Sequence, residues 1–539
     1  MKIGIQNFQG ITDYQEIELA PLTLIYGPNS AGKSTLVDAM KVGAELYEKG
    51  PSAMPVEWIH SSQSAAQSSE NPSKTTLRFD DVQLEEYEWD HDWRDESGAQ
   101  VSMSNSPEFL RVIEREIERR GDRRIRFSVQ YGWLDMGGMS RLCEYRLDID
   151  GEWAFEWQGL SNDEGDNSLR LKGHARINLR NPIINKIDTE LAIFKSSQWH
   201  IEYDKNEARF DDVIEKFKGS FSELFFDGYC LDINKWDSLA NLVAAFVGAF
   251  SKIVSVNCRQ YVVPPVREIN SGSHVVGYVQ RINSVGGVWS RISVAIMRKY
   301  FDDLANKNIG GAYLDEDDYF FSEGDIDLDE VNDYLSSPVL LDTGFCITGD
   351  IRFSASADAL EKIFAASEDN RMALLAELAE ITVTPKLHDK RRGCDVAIHD
   401  VGAGISQVIP VLVASQYRNA HIQQPELHLH PKMQARIADV FIQQLNLVDN
   451  PNQQRYLLET HSELLVLRVL RRIRETCRAD IKSKRFALTP DLVSVLYVDR
   501  SGQGVTTFKR LRISPEGEFL DRWPDGFFAE RDAELFHDE

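Results

Sequence analysis

The sequence contains few cysteines, and their spacing indicates neither a metal centre nor a disulfide framework. Six cysteines occur in 539 residues, and no two of them form a CxxC pair; they are Cys143, Cys230, Cys258, Cys346, Cys394 and Cys477. Scattered cysteines of this kind exclude zinc ribbons and disulfide-stapled scaffolds, and they are typical of proteins in a reducing compartment. We therefore expect a cytoplasmic protein.

Long hydrophobic runs are also missing. The N-terminal residues, MKIGIQNFQG, contain no apolar signal core, and the longest apolar stretch, residues 239–250, is interrupted by Asn241. A helix that spans a bilayer needs roughly 20 apolar residues, so we expect no membrane segment and no membrane partner.

Positive charge is in deficit, because 60 Lys and Arg stand against 85 Asp and Glu, which gives a formal net charge of −25. This balance excludes a uniformly basic coat protein for nucleic acid but leaves room for local basic faces. One basic stretch, a candidate site for nucleic acid or a partner protein, comprises Arg468, Arg471, Arg472, Arg474, Arg478, Lys482, Lys484 and Arg485. A second stretch comprises Arg111, Arg115, Arg119, Arg120, Arg123, Arg124 and Arg126. Glutamates interleave the second stretch, so a solvated, salt-bridged helix is the better interpretation there.

What the sequence does contain is a phosphate-binding loop. The apolar run Leu22–Tyr26 is followed by GPNSAGKST and then by apolar residues at helical spacing. The motif G-x-x-x-x-G-K-[ST] needs this strand–loop–helix order, because the N–H groups of the loop and helix surround the β-phosphate while the lysine reaches the β- and γ-oxygens. The motif predicts ATP and Mg²⁺ as cofactors, with Ser34 as a Mg²⁺ ligand. The predicted nucleotide-binding residues are Asn29, Ser30, Ala31, Gly32, Lys33, Ser34 and Thr35.

Outside the loop, periodicity predicts a mixture of elements. Alternating runs over residues 124–178 predict an antiparallel meander, and helical patterns occur at about 107–120, 210–226, 236–256, 287–306 and 357–381. From about residue 396 the pattern returns to alternating strands and helices, and a basic helix after residue 461 precedes a closing hairpin.

These segments together resemble ABC-type ATPases of the SMC, RecF and OLD kind. The first half of such a head is similar to residues 5–40, and Val401–Gln407, VGAGISQ, is similar to its signature motif. The resemblance implies an α/β fold: an ABC-type P-loop ATPase head, with a mixed sheet and flanking helices, split by a large α+β insertion. No heptad pattern persists, so no long coiled coil is expected. The signature of one head would close over ATP held by another, near Gly402, Gly404 and Ser406.

The same resemblance divides the chain into four predicted segments. Residues 1–50 form the N-terminal part of the head, and residues 51–254 form a mixed α+β insertion. Residues 255–395 form a helical lid or arm that returns to the head. Residues 396–539 form the C-terminal part with the signature, the Walker B segment, the switch histidine and a tail.

The Walker B segment departs from the family pattern at two positions. In IQQPELHLHP, residues 422–431, Gln423 stands where an acidic residue would hold Mg²⁺ through water, and Gln424 stands where many relatives carry the catalytic glutamate. An amide cannot act as a general base and offers Mg²⁺ no negative charge. Three alternatives stay open: hydrolysis is impaired, an engineered glutamine traps bound ATP, or Glu426 or Glu459 does the work.

Two more segments resemble family motifs. LLETHS, residues 457–462, resembles the strand end that carries a switch histidine, so His461 is implied to bond the γ-phosphate. YVVPPVR, residues 261–267, resembles the Y-[LI]-x-P-x-R segment, in which Arg267 is a candidate phosphate or interface residue, with a structural ion pair as the alternative.

Other histidines and the C-terminal end carry weaker signals. His428 and His430 are spaced i, i+2 with no evident third ligand, which favours structural or dimer-interface histidines over a metal site. WPDGFF, residues 523–528, resembles the tail of one ATPase subgroup found in bacterial anti-phage defence, as in Septu-like and retron-associated systems.

Three classes of function compete. The first is a nucleotide-driven dimeric switch, or a higher oligomer of the same chain, that regulates a separately encoded effector such as a nuclease in anti-phage defence. A catalytically impaired ATP-binding scaffold is its non-hydrolysing variant. The second is a self-contained OLD-like nuclease, which is disfavoured because only 539 − 461 = 78 residues follow His461 and they lack the needed Glu and DxD pattern. The third is a RecF- or SMC-like ATPase that binds DNA in repair or maintenance.

Overall fold

The structure is a computed structural model of the chain. It describes residues 1–49, 54–59, 74–82, 93–94, 100–101, 108–120, 125–135, 140–164, 168–178, 180–191, 202–204, 207–218, 239–267, 274–276, 287–306, 326–367, 374–375, 378–448, 450–478 and 484–522. The WPDGFF tail segment lies outside these described residues.

The strands, in chain order, are β1 Lys2–Gln6, β2 Gln15–Glu18, β3 Leu22–Tyr26, β4 Thr75–Val82, β5 Trp93–Arg94, β6 Gln100–Val101, β7 Phe127–Asp135, β8 Ser140–Ile149, β9 Glu152–Glu164, β10 Ser168–Asn178, β11 Glu202–Asp204, β12 Glu207–Lys218, β13 Tyr261–Val263, β14 His274–Val276, β15 Phe345–Ser354, β16 Glu380–Asp389, β17 Cys394–Val396, β18 Asn419–Gln423, β19 Arg455–Glu459, β20 Val493–Arg500 and β21 Thr506–Leu511.

The helices are α1 Ser34–Lys49, α2 Glu108–Arg120, α3 Pro182–Leu191, α4 Leu239–Cys258, α5 Gly287–Asn306, α6 Leu328–Ser336, α7 Ala357–Ala365, α8 Ala403–Ala414, α9 Pro431–Leu447 and α10 Glu463–Cys477. The longest of the described helices, α4 and α5, have 20 residues each. Within the described part of the chain, no helix is both long enough and apolar enough to cross a bilayer.

The chain divides into two compact units, and each draws on widely separated parts of the sequence. Unit 1 comprises residues 1–19, 27–259 and 498–510, and unit 2 comprises residues 20–26, 260–497 and 511–539. The chain passes from unit 2 to unit 1 directly after β3, at Gly27. These two units divide the chain by compactness and do not correspond to the four segments predicted from the sequence. The four segments therefore stay a prediction.

Unit 1 is built on a nine-stranded sheet with the strand order β11-β12-β10-β9-β8-β7-β4-β1-β2, in which every pairing is antiparallel. The predicted meander over residues 124–178 is therefore confirmed as β7 to β10. Helix α4 packs on this sheet through aromatic and hydroxyl contacts. The ring centroids of Phe127 and Phe250 are 5.4 Å apart, and the Tyr131 hydroxyl lies 2.8 Å from Ser251 Oγ.

One helix predicted for unit 1 is wrong over its first part. The apolar spacing at residues 210–226 predicts a helix, but residues 207–218 form β12, which pairs with β10 and β11. A shift of register between Gly173 and Ala175 of β10 marks an irregularity in this pairing. An irregular strand does not keep strict alternation, and long-range pairing outweighs local periodicity.

Unit 2 contains a sheet of parallel strands in the order β13-β18-β19-β3-β20, which combines a strand from residues 22–26 with strands from beyond residue 260. Helices α8, α9 and α10 contribute apolar side chains to one buried core with these strands. Strands β14, β15, β16 and β17 form a separate antiparallel sheet.

The predicted α/β fold class is confirmed: the chain contains a sheet of parallel strands with flanking helices as well as antiparallel sheets. A parallel strand leads into the phosphate-binding loop and α1, and its neighbours in the sheet come from the far end of the sequence. No long coiled coil occurs among the described residues.

Candidate functional site

The phosphate-binding loop of unit 1 depends on glycine at two positions. Gly27 and Gly32 have φ angles of +153° and +97°, which L-residues with a side chain rarely adopt. A Cβ atom on Gly27 would lie 2.2 Å from the Val498 carbonyl oxygen, and one on Gly32 would lie 2.6 Å from Thr506 Oγ1. The Thr506 hydroxyl donates to the Ala31 carbonyl at 3.0 Å and so fixes the loop from β21.

Lys33 and Ser34 lie at the start of α1, where the predicted chemistry needs them. Lys33 Nζ donates to the carbonyl oxygens of Gly27 and Pro28 at 3.1 and 2.9 Å, so the ammonium lies over the loop. Ser34 is exposed and is the first residue of α1. An exposed helix N-terminus with a lysine and a hydroxyl suits an anionic phosphate with its Mg²⁺, so the residues fit the predicted ligand.

In unit 2, the polar residues predicted for catalysis follow parallel strands that end side by side. Gln423 ends β18 and Glu459 ends β19, and these two residues are paired across the ladder. Glu459 is paired in turn with Ile25 of β3, and the chain enters the phosphate-binding loop two residues later. Parallel strands present their carboxyl ends at one edge, where ligands of α/β sheets bind.

Glu459 is the centre of a buried hydrogen-bonded cluster. Its side chain belongs to a residue that is only 8% exposed. Its Oε1 lies 2.7 Å from His421 Nε2 and accepts a hydrogen bond from Gln423 Nε2 at 3.3 Å. His421 is 1% exposed, and its Nδ1 has no hydrogen-bond partner in the described part of the chain. A carboxylate is thus present at the strand ends although β18 itself ends in an amide.

Glu426 has a different role from Glu459. One of its carboxylate oxygens accepts from the Thr460 hydroxyl at 2.9 Å, and the other accepts from the His461 backbone N–H at 2.8 Å. These bonds tie the turn after β18 to the residues that follow β19. Glu426 therefore fixes the backbone on which His461 is placed.

His461 is exposed, and its ring lies 6.2 Å from the ring of Tyr26, the last residue of β3. His428 and His430 are also exposed, and His430 Nδ1 accepts from the Lys432 N–H at the start of α9. No group of three or more His, Cys, Asp or Glu residues that could hold a metal ion occurs within the ranges that the structure describes.

The signature residues begin α8. Gly402 is exposed, and a Cβ atom on it would meet no other atom within 4 Å. Ser406 is 1% exposed, and its hydroxyl donates to the Ala403 carbonyl at 3.2 Å within the same helix. The exposed backbone before α8, and not the Ser406 hydroxyl, is therefore the accessible part of this motif in a single chain.

Arg267 is bonded to backbone carbonyls within unit 2, and its candidate role as a phosphate or interface residue stays a prediction. It is 5% exposed, and its guanidinium donates to the carbonyl oxygens of Gln407, Gln423 and Gln424 at 3.2, 2.8 and 2.9 Å. Burial lowers the pKa of Arg267 to about 10, although the nearby Glu426 carboxylate opposes this shift. The N–H groups of this buried guanidinium thus hold three backbone carbonyls in place, which is a structural contact.

Both basic stretches contain arginines that are bonded within the chain. In the first stretch, Arg472 forms two bonds of 2.8 Å with the buried Asp439 carboxylate, and Arg468 lies 3.4 Å from the same group. Arg474 donates to the carbonyls of Glu516 and Gly517. These contacts reduce the charge available to a polyanion, and Lys482 lies outside the described residues. The salt-bridged interpretation of the second stretch is confirmed where Arg119 and Arg120 pair with Glu116.

Three residues of the site were not singled out from the sequence, although Gln407 and Thr460 lie inside the VGAGISQ and LLETHS segments. His421, Gln407 and Thr460 each make buried side-chain contacts with the predicted residues. The one available signal for His421 is a polar residue inside an apolar strand, two positions before Gln423. Buried polar groups are normally hydrogen-bonded, so such a residue implies a partner.

One comparison with protein families matches the part of the chain that contains the phosphate-binding loop. Residues 2–228 match the family model of the AAA domain. No curated protein matches the sequence. The match to the AAA domain covers 227 of the 539 residues and includes the phosphate-binding loop.

Solved structures of SMC heads are similar to this chain at low identity. One is an SMC head bound to the C-terminal winged-helix domain of ScpA, with 10% identity, a TM-score of 0.35, and coverage of 95% of this chain and 97% of that one. Another, derived from Pyrococcus furiosus, is an SMC head with an extended coiled coil bound to the C-terminal domain of ScpA, with 9% identity, a TM-score of 0.33, and coverage of 95% and 96%. The SMC head domain from Thermotoga maritima has 8% identity, a TM-score of 0.32, and coverage of 95% and 98%. These scores are too low to support an argument about function.

Proposed function

We propose that this chain binds and hydrolyses ATP as a dimeric switch that regulates a separate effector, a nuclease, in bacterial anti-phage defence. The ATPase part rests on the phosphate-binding loop, whose backbone requires glycine and which carries Lys33 and the exposed Ser34. The loop follows β3, and the neighbouring strand β19 ends in the buried Glu459. The effector and the defence role rest on the resemblance of the motifs and the tail to that ATPase subgroup.

In this proposal the phosphates of ATP bind residues 29–35, and Ser34 with the phosphate oxygens would hold Mg²⁺, which neutralises charge on the transferred group. From the family resemblance we take Glu459 as the general base. It would accept the proton of the water whose oxygen bonds to the γ-phosphorus, while the bond to the β-phosphate oxygen breaks and ADP and phosphate leave. Gln423 orients Glu459 or a water near Mg²⁺, and Gln424 and Glu426 position the turn.

Most of the remaining predicted residues act on the bound γ-phosphate. His461 would bond it from the same chain, and the backbone at Gly402 and Gly404 of a second chain would close over it. The buried Ser406 hydroxyl stays bonded to Ala403 and holds the start of the helix. The exposed positions of His461 and Gly402 support these roles. RecF- or SMC-like binding to DNA is less favoured, because arginines of the basic stretches already bond within the chain.

The ATPase part is tested with Lys33→Ala. We expect this variant to lose ATP affinity by about a hundredfold or more, since the lysine is a direct point charge on the phosphates. Fluorescent ATP analogues measure the affinity, and phosphate release measures turnover. Lys41→Ala, a change of an exposed lysine on the same helix, is the matched control. Equal ATP affinity in both variants would contradict the proposed phosphate site.

The defence part is tested in cells that carry the gene with its natural neighbours. Phage plating is expected to fall with the wild-type chain and to return to control levels with Lys33→Ala, whereas Lys41→Ala should protect as the wild type does. Affinity purification from the same cells should recover a nuclease that is encoded beside this gene. Protection that persists with Lys33→Ala would overturn the link between ATP and defence.

A further inference from the structure

Arg267 and Gln407 form a closed set of hydrogen bonds inside unit 2. The Arg267 guanidinium donates to the Gln407 carbonyl at 3.2 Å. The Gln407 side-chain amide returns two bonds: its Nε2 donates to the Arg267 carbonyl at 2.8 Å, and its Oε1 accepts from the Arg267 N–H at 3.3 Å. Both residues are buried, so each bond is protected from water.

This pair joins two elements that the proposed function uses separately. Gln407 lies in the second turn of α8, the helix that begins at the signature residues. The second arm of the Arg267 fork donates to the carbonyls of Gln423 and Gln424, at the carboxyl end of β18. The Arg267 side chain therefore connects the signature helix with the end of β18, where the predicted catalytic residues Gln423 and Gln424 lie.

A second, independent contact joins the same two elements. We call residues 424–430 the relay turn. Its members Gln424 and His428 have φ angles of +48° and +63°, uncommon for residues with a Cβ. Gly404 of the signature lies against this turn, because a Cβ atom there would be 2.7 Å from the His428 carbonyl oxygen.

The relay turn is also attached to the end of β19. The Gln424 N–H donates to the Glu459 carbonyl at 2.7 Å, and the Glu426 carboxylate accepts from Thr460 and from the His461 N–H. A shift of Glu459 or His461 therefore moves the turn. Close packing transmits such a shift to Gly404 and to Arg267, since packed contacts do not deform freely.

We propose that Arg267 is a positioning residue that, with the relay turn, couples nucleotide occupancy at the strand ends to the orientation of the signature helix. The proposal rests on the proposed dimeric switch and deepens it, because it specifies how one chain's ATP prepares the surface that meets a second chain. A planar guanidinium can bond several carbonyls at fixed angles, whereas an ammonium is a point charge that cannot reproduce this fork.

The test compares Arg267→Lys with Arg472→Lys. Both variants keep a positive charge at a largely buried arginine, but Arg472 pairs with Asp439 and touches neither the signature helix nor the relay turn in the contacts described above. Thermal unfolding first establishes that each variant folds. Hydrogen exchange is then followed, with and without ATP, at a concentration where light scattering shows monomers. Amides of residues 27–36 report binding, and amides of residues 403–412 report coupling.

In the wild type we expect ATP to slow exchange in both segments. Arg472→Lys should show the same two responses as the wild type. In Arg267→Lys, ATP should still slow exchange in residues 27–36, but most of its effect on exchange in residues 403–412 should be lost. ATP-dependent dimer formation should then need about tenfold more protein, a typical size for coupling between sites. Gly404→Ala pushes on the relay turn without removing a hydrogen bond. It should reproduce the exchange pattern in the monomer, and that readout alone, without dimer formation, provides the test if Arg267→Lys does not fold.

The outcomes separate the two proposals. A wild-type chain that does not bind ATP would overturn the proposed function itself. A wild-type chain that binds ATP, with a signature response that is absent or is equal in Arg267→Lys and Arg472→Lys, would overturn the coupling role and leave the ATPase proposal intact. Equal loss of both responses in Arg267→Lys would mark a general structural role and would also contradict the coupling.

Discussion

At the scale of single residues, the carboxylate at the strand ends belongs to β19 and not to β18. Gln423 and Glu459 are paired across adjacent strands, with 3.3 Å between Gln423 Nε2 and Glu459 Oε1. The amide thus donates to the carboxylate in place of a second negative charge. An acidic residue at position 423 would instead place a second negative charge beside Glu459.

We predict that Glu459→Gln slows phosphate release by about a hundredfold or more, the usual contribution of a general base, while ATP affinity changes little. Single-turnover phosphate release and fluorescent ATP binding measure the two quantities separately. Glu426→Gln is the control, because that carboxylate bonds Thr460 and the His461 N–H and should affect stability more than chemistry. Equal, measurable turnover in Glu459→Gln and the wild type would contradict Glu459 as the general base, whereas no turnover in either protein would favour an impaired, ATP-binding scaffold.

Single residues also show how far the sequence could predict the site. The loop residues from Asn29 to Thr35 were predictable, because the chemistry of phosphate binding depends on local spacing. His421 and Gln407 were not, since their importance arises from partners more than 35 positions away in the chain. Arg267 was recognised as a candidate, but its carbonyl partners are visible only in the fold.

At the scale of elements, a buried carboxylate of α2 accepts hydrogen bonds from its own helix and from α3. Glu116 is 4% exposed and accepts hydrogen bonds from Arg119, Arg120 and Lys186, the last from α3. The bonds from Arg119, Lys186 and Arg120 hold the pKa of Glu116 far below its usual range. The helix thus depends on an ionised glutamate.

The depressed pKa predicts the pH dependence of stability. An unfolded glutamate has a pKa of about 4.3, so the contribution of Glu116 is fully present above that value and is lost as the pH falls below it towards the folded-state pKa. Glu116→Gln should lower the unfolding temperature by a few degrees at pH 7 and by less at pH 3. Glu118→Gln, at an exposed position of the same helix, should change little at either pH. A difference that is as large at pH 3 as at pH 7 would contradict the assignment.

Elements were predictable where local pattern and long-range pairing agree. The apolar helix α4 and the meander β7 to β10 follow their periodicity closely. Residues 210–218 do not, because helical spacing there yields to pairing with β10 and β11. The sequence also does not reveal that strands from residues 75–218 extend the sheet of β1 and β2.

At the scale of the whole molecule, the proposed switch requires two chains, because the signature residues of one chain would act on ATP held by the other. We predict that ATP with Mg²⁺ converts the chain from monomer to dimer, or to a higher oligomer, and that Lys33→Ala stays monomeric. Light scattering after size exclusion measures the mass, and Lys41→Ala is again the control. A wild-type mass that does not change with ATP and Mg²⁺ would contradict the dimeric part of the proposal.

The position of β3 has a consequence for how the protein is made. Strand β3 ends at Tyr26, but its two neighbours, β19 and β20, begin at Arg455 and Val493. Ribosomes add roughly 5–20 residues per second, so β3 leaves the ribosome about half a minute to a minute and a half before both neighbours exist. During that interval an apolar strand has no native partner, so we expect nascent chains to depend on chaperones until the last strands emerge.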